Sequence, residues 1–250
     1  MNLEGACCVV TGASSGIGRA LALRMAREGA RLLVTGRDRT AVEDVAARTV
    51  GVGVVADLSS AAGVDRCVAA ARRALPRVDL LVNNAGVGWA GPFTSMNPKD
   101  ADRIVRLDLV ASIRLTGALL PGMIQRGQGH LVYVASIAGH VGVPHEAVYA
   151  AAKAGLIAFG ESLRYELRGL GVAVTVVSPG AVRTPFFERR GRAYGRDFPP
   201  LISPDRVADA TVRAVEGGRA DVFLPGWMRA VARFRGAWPG AYRRLAARFG

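Results

Sequence analysis

Near its start the chain reads Ala6-Cys7-Cys8-Val9-Val10-Thr11-Gly12-Ala13-Ser14-Ser15-Gly16-Ile17-Gly18-Arg19, and this stretch decides the fold. Ala6–Thr11 is apolar without polar alternation, the pattern of a strand buried on both faces, as in a parallel sheet. Thr11–Gly18 then turns into a helical pattern over 16–28. Its glycines permit a tight turn and a close backbone approach to a bound group. The helix N-terminus offers free N–H groups and the positive end of its dipole, so an anion suits it. The spacing is TGxxxGxG rather than GxGxxG, and a glycine cluster alone is weak evidence. Its place as the first β–α turn makes it informative.

Six further apolar runs of strand length follow: Arg31–Thr35, Val52–Ala56, Val78–Val82, His130–Ala135, Val172–Val177 and Asp221–Leu224. Helical patterns over 39–49, 60–75, 99–126, 149–169 and 203–217 separate them. Seven strands alternating with helices predict a doubly wound α/β fold, a seven-stranded parallel sheet with helices on both faces (a Rossmann fold). One domain is expected over 1–224, with a basic amphipathic extension over 225–250. Pro185–Pro200 reads as a long loop, a length that is usually functional or disordered. Ligands of such sheets sit beyond the carboxyl ends of the strands.

Of 250 residues, 50% are hydrophobic and 21% charged, which excludes a disordered chain. Glycine shows no three-residue period, and three cysteines do not make a disulfide scaffold. Cys7, Cys8 and Cys67 are expected to be small buried hydrophobes in a reducing compartment. No run of about 18 uncharged apolar residues stands out as a membrane span, and Met1–Gly5 carries no basic leader segment. The chain is therefore expected to be cytoplasmic. The net charge of +13 invites a nucleic-acid reading. However, only Lys99 and Lys153 among 33 basic residues are lysine, so the chain uses Arg almost everywhere. Where Lys survives, its chemistry is the candidate reason.

After the second strand, an NAD site usually carries an acid for the ribose hydroxyl. Here Gly36 stands in that place and Arg37 follows. A guanidinium suits a 2′-phosphate, so NADP(H) is the expected cofactor. Asp38 could instead neutralise Arg37 or reach a ribose hydroxyl itself.

Tyr149 and Lys153 lie four apart on one helix face. A free tyrosine is a weak base at neutral pH, and a nearby ammonium favours its phenolate. Ser136 ends the fifth strand and can donate to the same substrate oxygen. Together they suit proton exchange with an alcohol or carbonyl.

With these residues the chain resembles the short-chain dehydrogenase/reductase family over residues 5–224. The motifs are Thr11–Gly18, Asp57, Asn83-Asn84-Ala85-Gly86, Ser136, Tyr149, Lys153, Ser178-Pro179-Gly180 and Thr184. The resemblance implies hydride transfer between a nicotinamide and a substrate carbon. It implies cofactor contacts from Gly12, Ser14, Ser15, Gly16, Ile17, Gly18, Arg37, Asp57, Leu58, Asn84, Tyr149, Lys153, Pro179, Gly180, Val182 and Thr184. Asp57 would meet the adenine amino group, Asn83 would support the central strands, Lys153 would bind ribose hydroxyls and Thr184 the carboxamide. Tyr149 would be the proton donor. No metal is implied. The resemblance also leads us to expect a homodimer or homotetramer.

One position departs from the family pattern. Its fourth catalytic residue is usually Asn in a Val-Asn-Leu context, and here the chain reads Leu107-Asp108-Leu109. A carboxylate near Lys153 favours the ammonium, so Asp108 is expected to be a tolerated catalytic variant. His140 and His145 are expected at the pocket rim. Trp89, Pro92, Phe93, Phe186 and Phe187 are expected to wall a pocket for a small apolar carbonyl or alcohol.

From Pro225 onward there are six Arg and no acid. Trp227, Val231, Phe234 and Trp238 make one apolar helical stripe, and Tyr242, Leu245 and Phe249 begin another after Pro239-Gly240. Three readings stand open: packing over the pocket or another subunit, peripheral membrane contact, and nucleic-acid binding, which lacks any motif. The expected function is an NADP(H)-dependent oxidoreductase interconverting a secondary alcohol and a ketone. The alternatives are a non-catalytic NADP(H)-binding protein that docks through its tail, or a same-fold reductase acting on another group.

Overall fold

Along β1 (Cys7–Thr11), Cys8 and Val10 face one apolar layer while Cys7 and Val9 face the other, and all four are buried. The computed structural model describes residues 1–195 and 197–249. The remaining strands are β2 (Arg31–Gly36), β3 (Val52–Val55), β4 (Leu80–Asn83), β5 (Gly129–Val134), β6 (Val172–Pro179) and β7 (Asp221–Leu224). All pair in parallel in the order β3-β2-β1-β4-β5-β6-β7. The expected Rossmann architecture is the observed one. Val10 is level with Val34 of β2 and Val82 of β4, so these strands end together. The order reverses between β1 and β4, which opens a crevice there.

The helices are α1 (Gly16–Arg27), α2 (Arg39–Arg48), α3 (Ala61–Ala74), α4 (Pro98–Val105), α5 (Ala111–Arg126), α6 (Ala147–Glu166), α7 (Phe186–Arg189), α8 (Pro204–Glu216), α9 (Met228–Ala237) and α10 (Pro239–Phe249). Leu21 and Met25 of α1, Val42 of α2 and Val212 of α8 pack one face of the sheet. Cys67 of α3, Leu115 and Met123 of α5, and Leu156 of α6 pack the other. Side chains of Asp38, Ser60, Asn97 and Ser203 cap α2, α3, α4 and α8, each worth about 1 kcal/mol. Ser15 makes no such cap on α1, and the first-turn N–H groups of that helix stay free.

The single helix expected over 99–126 is interrupted. Between α4 and α5, Arg106–Val110 forms one wider turn, in which the N–H of Ala111 reaches back to the carbonyl of Arg106. Such wide turns recur at functional sites, and Asp108 sits in the middle of this one. Pro98–Arg126 as a whole is long and apolar enough to cross a membrane by length and composition, which the sequence reading did not single out. Its Leu115, Leu119 and Met123 instead belong to the core.

All three cysteines are free and buried, and burial pushes the Cys8 and Cys67 thiols up. The expected loop after β6 contains α7, and beyond β7 the chain forms α9 and α10. The residue that plugs this tail into the core is Met228, outside the expected stripe; a side-chain carbon on Gly180 would stand 2.4 Å from Met228 Cε. Val231 and Phe234 are half-buried, whereas Trp227 and Trp238 are exposed. The Phe249 side chain lies outside the described residues.

Candidate active site at the carboxyl edge of the sheet

Two hydrogen-bonded turns line the crevice between β1 and β4. The Thr11 hydroxyl accepts from the backbone N–H groups of Asn84 and Ala85 at 2.9 and 3.0 Å, and donates to the Val82 carbonyl at 3.1 Å. The Asn84 amide donates back to the Thr11 carbonyl at 2.8 Å. Gly12 needs its φ of +65° here, and a side-chain carbon on it would lie 2.8 Å from Ala85 Cα. Gly18 is tighter still: a side-chain carbon would stand 2.3 Å from the Gly12 carbonyl oxygen. The glycines are therefore required by close packing of the turn itself. Across the crevice the Thr184 side chain covers Gly16, 3.0 Å from where a side-chain carbon would be.

At the end of β2, Gly36 has no room for a side chain, since Ser14 lies 2.9 Å and Val42 3.0 Å from the position a Cβ would take. Arg37 is exposed and makes no ion pair among the described residues. Asp38 does not neutralise it; its carboxylate caps α2 through the Ala41 N–H at 3.1 Å. After β3, the exposed Asp57 accepts from the Ser59 hydroxyl at 2.7 Å, and Leu58 is buried. Pro179, Gly180 and Val182 run from the end of β6, where Val182 bridges Ile202. These positions follow the carboxyl ends of β1, β2, β3, β4 and β6.

The titratable cluster occupies the adjoining edge of β4 and β5. Lys153 Nζ donates to the Val134 carbonyl at 3.1 Å, lies 3.2 Å from Asp108 Oδ2, and stands 5.7 Å from the Tyr149 ring centroid. Asp108 Oδ1 accepts the Val87 N–H at 2.8 Å. Gly86 is required by this pair, because a side-chain carbon there would be 2.8 Å from Asp108 Oδ2. Ser136 hydrogen-bonds Tyr149 and accepts the Ala138 N–H at 3.1 Å. Burial pushes the Tyr149 phenol above its ordinary range, and the Asp108 charge adds to this; the Ser136 hydrogen bond opposes it. Burial also raises Asp108, against the Lys153 ammonium and the Val87 N–H. The direction is opposite to the lowering expected from Lys153 together with an oxidised nicotinamide, and burial is its largest cause.

Phe186 covers Tyr149, ring centroids 5.3 Å apart. Trp89, Phe93, Met96, Ile104 and His145 line a small cavity that reaches Tyr149. Of the expected wall, Trp89 and Phe186 pack around Tyr149, Phe93 is largely exposed, and Phe187 lies under the Arg190 guanidinium at 4.6 Å. His145 is at the rim. His140 turns away instead, pairing with the Ser178 hydroxyl at 2.9 Å and packing on Phe223. A wider groove on the β3 edge, near Arg39, Arg66 and Arg73, carries none of these groups.

Sequence reasoning missed two arginines. Arg190 pairs with Glu146, the residue preceding α6, and both are mostly buried. The Ala90 N–H donates to the Arg190 carbonyl at 3.2 Å. Arg189 donates to the Ser15 hydroxyl at 3.0 Å. The available signal was an Arg doublet inside a loop already expected to be functional.

Comparison with known proteins agrees with this fold. The family described as short chain dehydrogenase matches residues 6–195. Dehydrogenase/reductase SDR family member 7B of Danio rerio is 32% identical over 265 residues, covering 98% of this chain and 86% of the relative. A short-chain dehydrogenase from Sphingobium yanoikuyae in complex with NADPH superposes with a TM-score of 0.84 at 29% identity, covering 97% of this chain and 95% of that one. A short chain dehydrogenase/reductase from Burkholderia phymatum in complex with NAD gives 0.86 at 26%, covering 95% of each.

Proposed function

Because the chain belongs to the short-chain dehydrogenase family, we propose that it is an NADP(H)-dependent oxidoreductase interconverting a secondary alcohol and a ketone on a small apolar substrate. The observation that carries this reading is the meeting of Ser136, Tyr149 and Lys153 next to the glycine turn. The residues present fit a dinucleotide. Free N–H groups at the start of α1 suit a pyrophosphate, and the buried Asn83 amide has no partner among the described residues. When bound, the dinucleotide supplies or accepts the hydride.

The preference for NADP(H) rests on β2. Gly36 excludes an acidic side chain where an NAD site would need one, and the Arg37 guanidinium is free for a 2′-phosphate. Asp57, Leu58, Asn84, Pro179, Gly180, Val182 and Thr184 would complete the cofactor contacts.

The chain's own residues handle the proton. The Ser136 hydroxyl holds the substrate oxygen and Tyr149 Oη exchanges a proton with it. The neutral phenol is the form that donates to a carbonyl, and the phenolate is the form that accepts from an alcohol. Lys153, paired with Asp108, is held by the Val134 carbonyl beside the ring. Phe186 and Trp89 exclude water from this exchange. A screen of NADPH oxidation over ketosteroids, 3-oxoacyl thioesters, quinones, retinal and aryl ketones should find turnover that Tyr149→Phe abolishes. Equal turnover by that variant would overturn the assignment.

A further inference from the structure

We propose that the hairpin of α9 and α10, together with Phe198 of the preceding loop, is a docking surface for an anionic lipid bilayer. No acidic residue follows Asp221. Arg229, Arg233, Arg235, Arg243 and Arg244 are all exposed, and none is in an ion pair among the described residues. Large apolar side chains stand among them in solvent: Phe198 is 69% exposed, Trp227 45%, Trp238 63% and Leu245 47%. Phe198 stacks on Trp227 at 5.5 Å and 16°, so loop and tail share one aromatic platform. Phe234 touches both Trp238 and Tyr242, which fixes α9 against α10 and holds Trp238 at the bend. Met228 seated against Gly180 anchors the hairpin to the chain leaving β6.

Indole rings settle at the headgroup level of a bilayer, and arginines beside them attract anionic lipid. Helices of 10 and 11 residues are too short to span, so the hairpin lies in the interface. A second copy fits less well, because a two-fold interface sets this patch against itself and arginine against arginine. Nucleic acid would use the arginines and leave the leucine and indole exposures without a role.

The test is sedimentation of the full-length protein with vesicles of phosphatidylcholine, with and without phosphatidylglycerol, alongside tryptophan emission. At least about tenfold stronger partitioning onto the anionic vesicles is expected, with a blue shift of emission. A triple variant, Leu245→Ser, Arg243→Ser and Arg244→Ser, changes only exposed positions outside the ring contacts that join the two helices. It is expected to lose most of that partitioning at an unchanged melting temperature. Equal partitioning onto both vesicles, or none, overturns the proposal. So does a triple variant of lower oligomeric order, which would show a second copy covering this face. Binding to a DNA duplex with no blue shift on vesicles overturns it as well.

Discussion

The Asp108 carboxylate stands 3.2 Å from the Lys153 ammonium, with side chains 0% and 5% exposed. Desolvation of such a pair is offset only if each group has further partners. Here Lys153 has the Val134 carbonyl and Asp108 the Val87 N–H. The Asp108 charge also reaches Tyr149, where it adds to the burial that raises the phenol.

Asp108→Asn should therefore lower the pH at which Tyr149 gives up its proton. The amide retains the acceptor for Val87 and removes the charge that raises the phenol. Alcohol oxidation, which needs the base form, gains at lower pH; carbonyl reduction loses its acid form earlier on the alkaline side. The change in kcat should stay below about tenfold. Profiles of kcat/KM against pH in both directions check this, and superimposable profiles for the two proteins would refute it.

Arg37→Ala should cost about 1.5–3 kcal/mol of NADP(H) binding, or roughly ten- to a hundredfold, and leave NAD(H) affinity nearly unchanged. Titration of both dinucleotides gives the ratio directly. An unchanged ratio removes Arg37 from the 2′-phosphate.

Arg190→Met should leave Glu146 as an uncompensated buried charge, a loss of about 3 kcal/mol or more. The pair joins the loop to the helix of Tyr149, so the loss should appear first as a higher KM and faster proteolysis within 186–195. Adding Glu146→Gln should restore part of both. If the double variant is no better than the single one, the pair is not what fastens this loop.

His130 should make the protein acid-sensitive. Burial, aided by the Met1 ammonium, lowers its value to about 4, and it hydrogen-bonds the Thr175 hydroxyl at 2.8 Å. The unfolded chain takes up this proton near pH 6.5 and the folded one near 4. Stability is thus fully present above the first value and falls as pH drops through this window. The loss is about 3 kcal/mol. Urea unfolding of wild type and His130→Gln at pH 7 and pH 4.5 measures it; a variant with the same pH slope would refute this origin.

Much of the fold was legible because a parallel sheet leaves a plain mark: Cys7 to Val10 are apolar at every position since both faces are covered. Lys153 stood out because the chain otherwise uses arginine. That same habit hid Arg190, whose partner is 44 positions away and which no local pattern separates from the surface arginines. The wide turn at Arg106–Val110 was hidden too, since its sequence remains compatible with a continuous helix and tertiary packing selects the register. The stripe from Trp227 to Trp238 was correctly periodic, yet periodicity does not say what covers a face.

The contact of Arg189 with the Ser15 hydroxyl links the loop bearing Phe186 to the turn that would receive the pyrophosphate. An anion held there would attract the guanidinium, and the loop with it. Ordered binding is therefore expected, with the dinucleotide first in and last out. Steady-state inhibition by the oxidised cofactor should accordingly be competitive against the reduced form and not against the carbonyl.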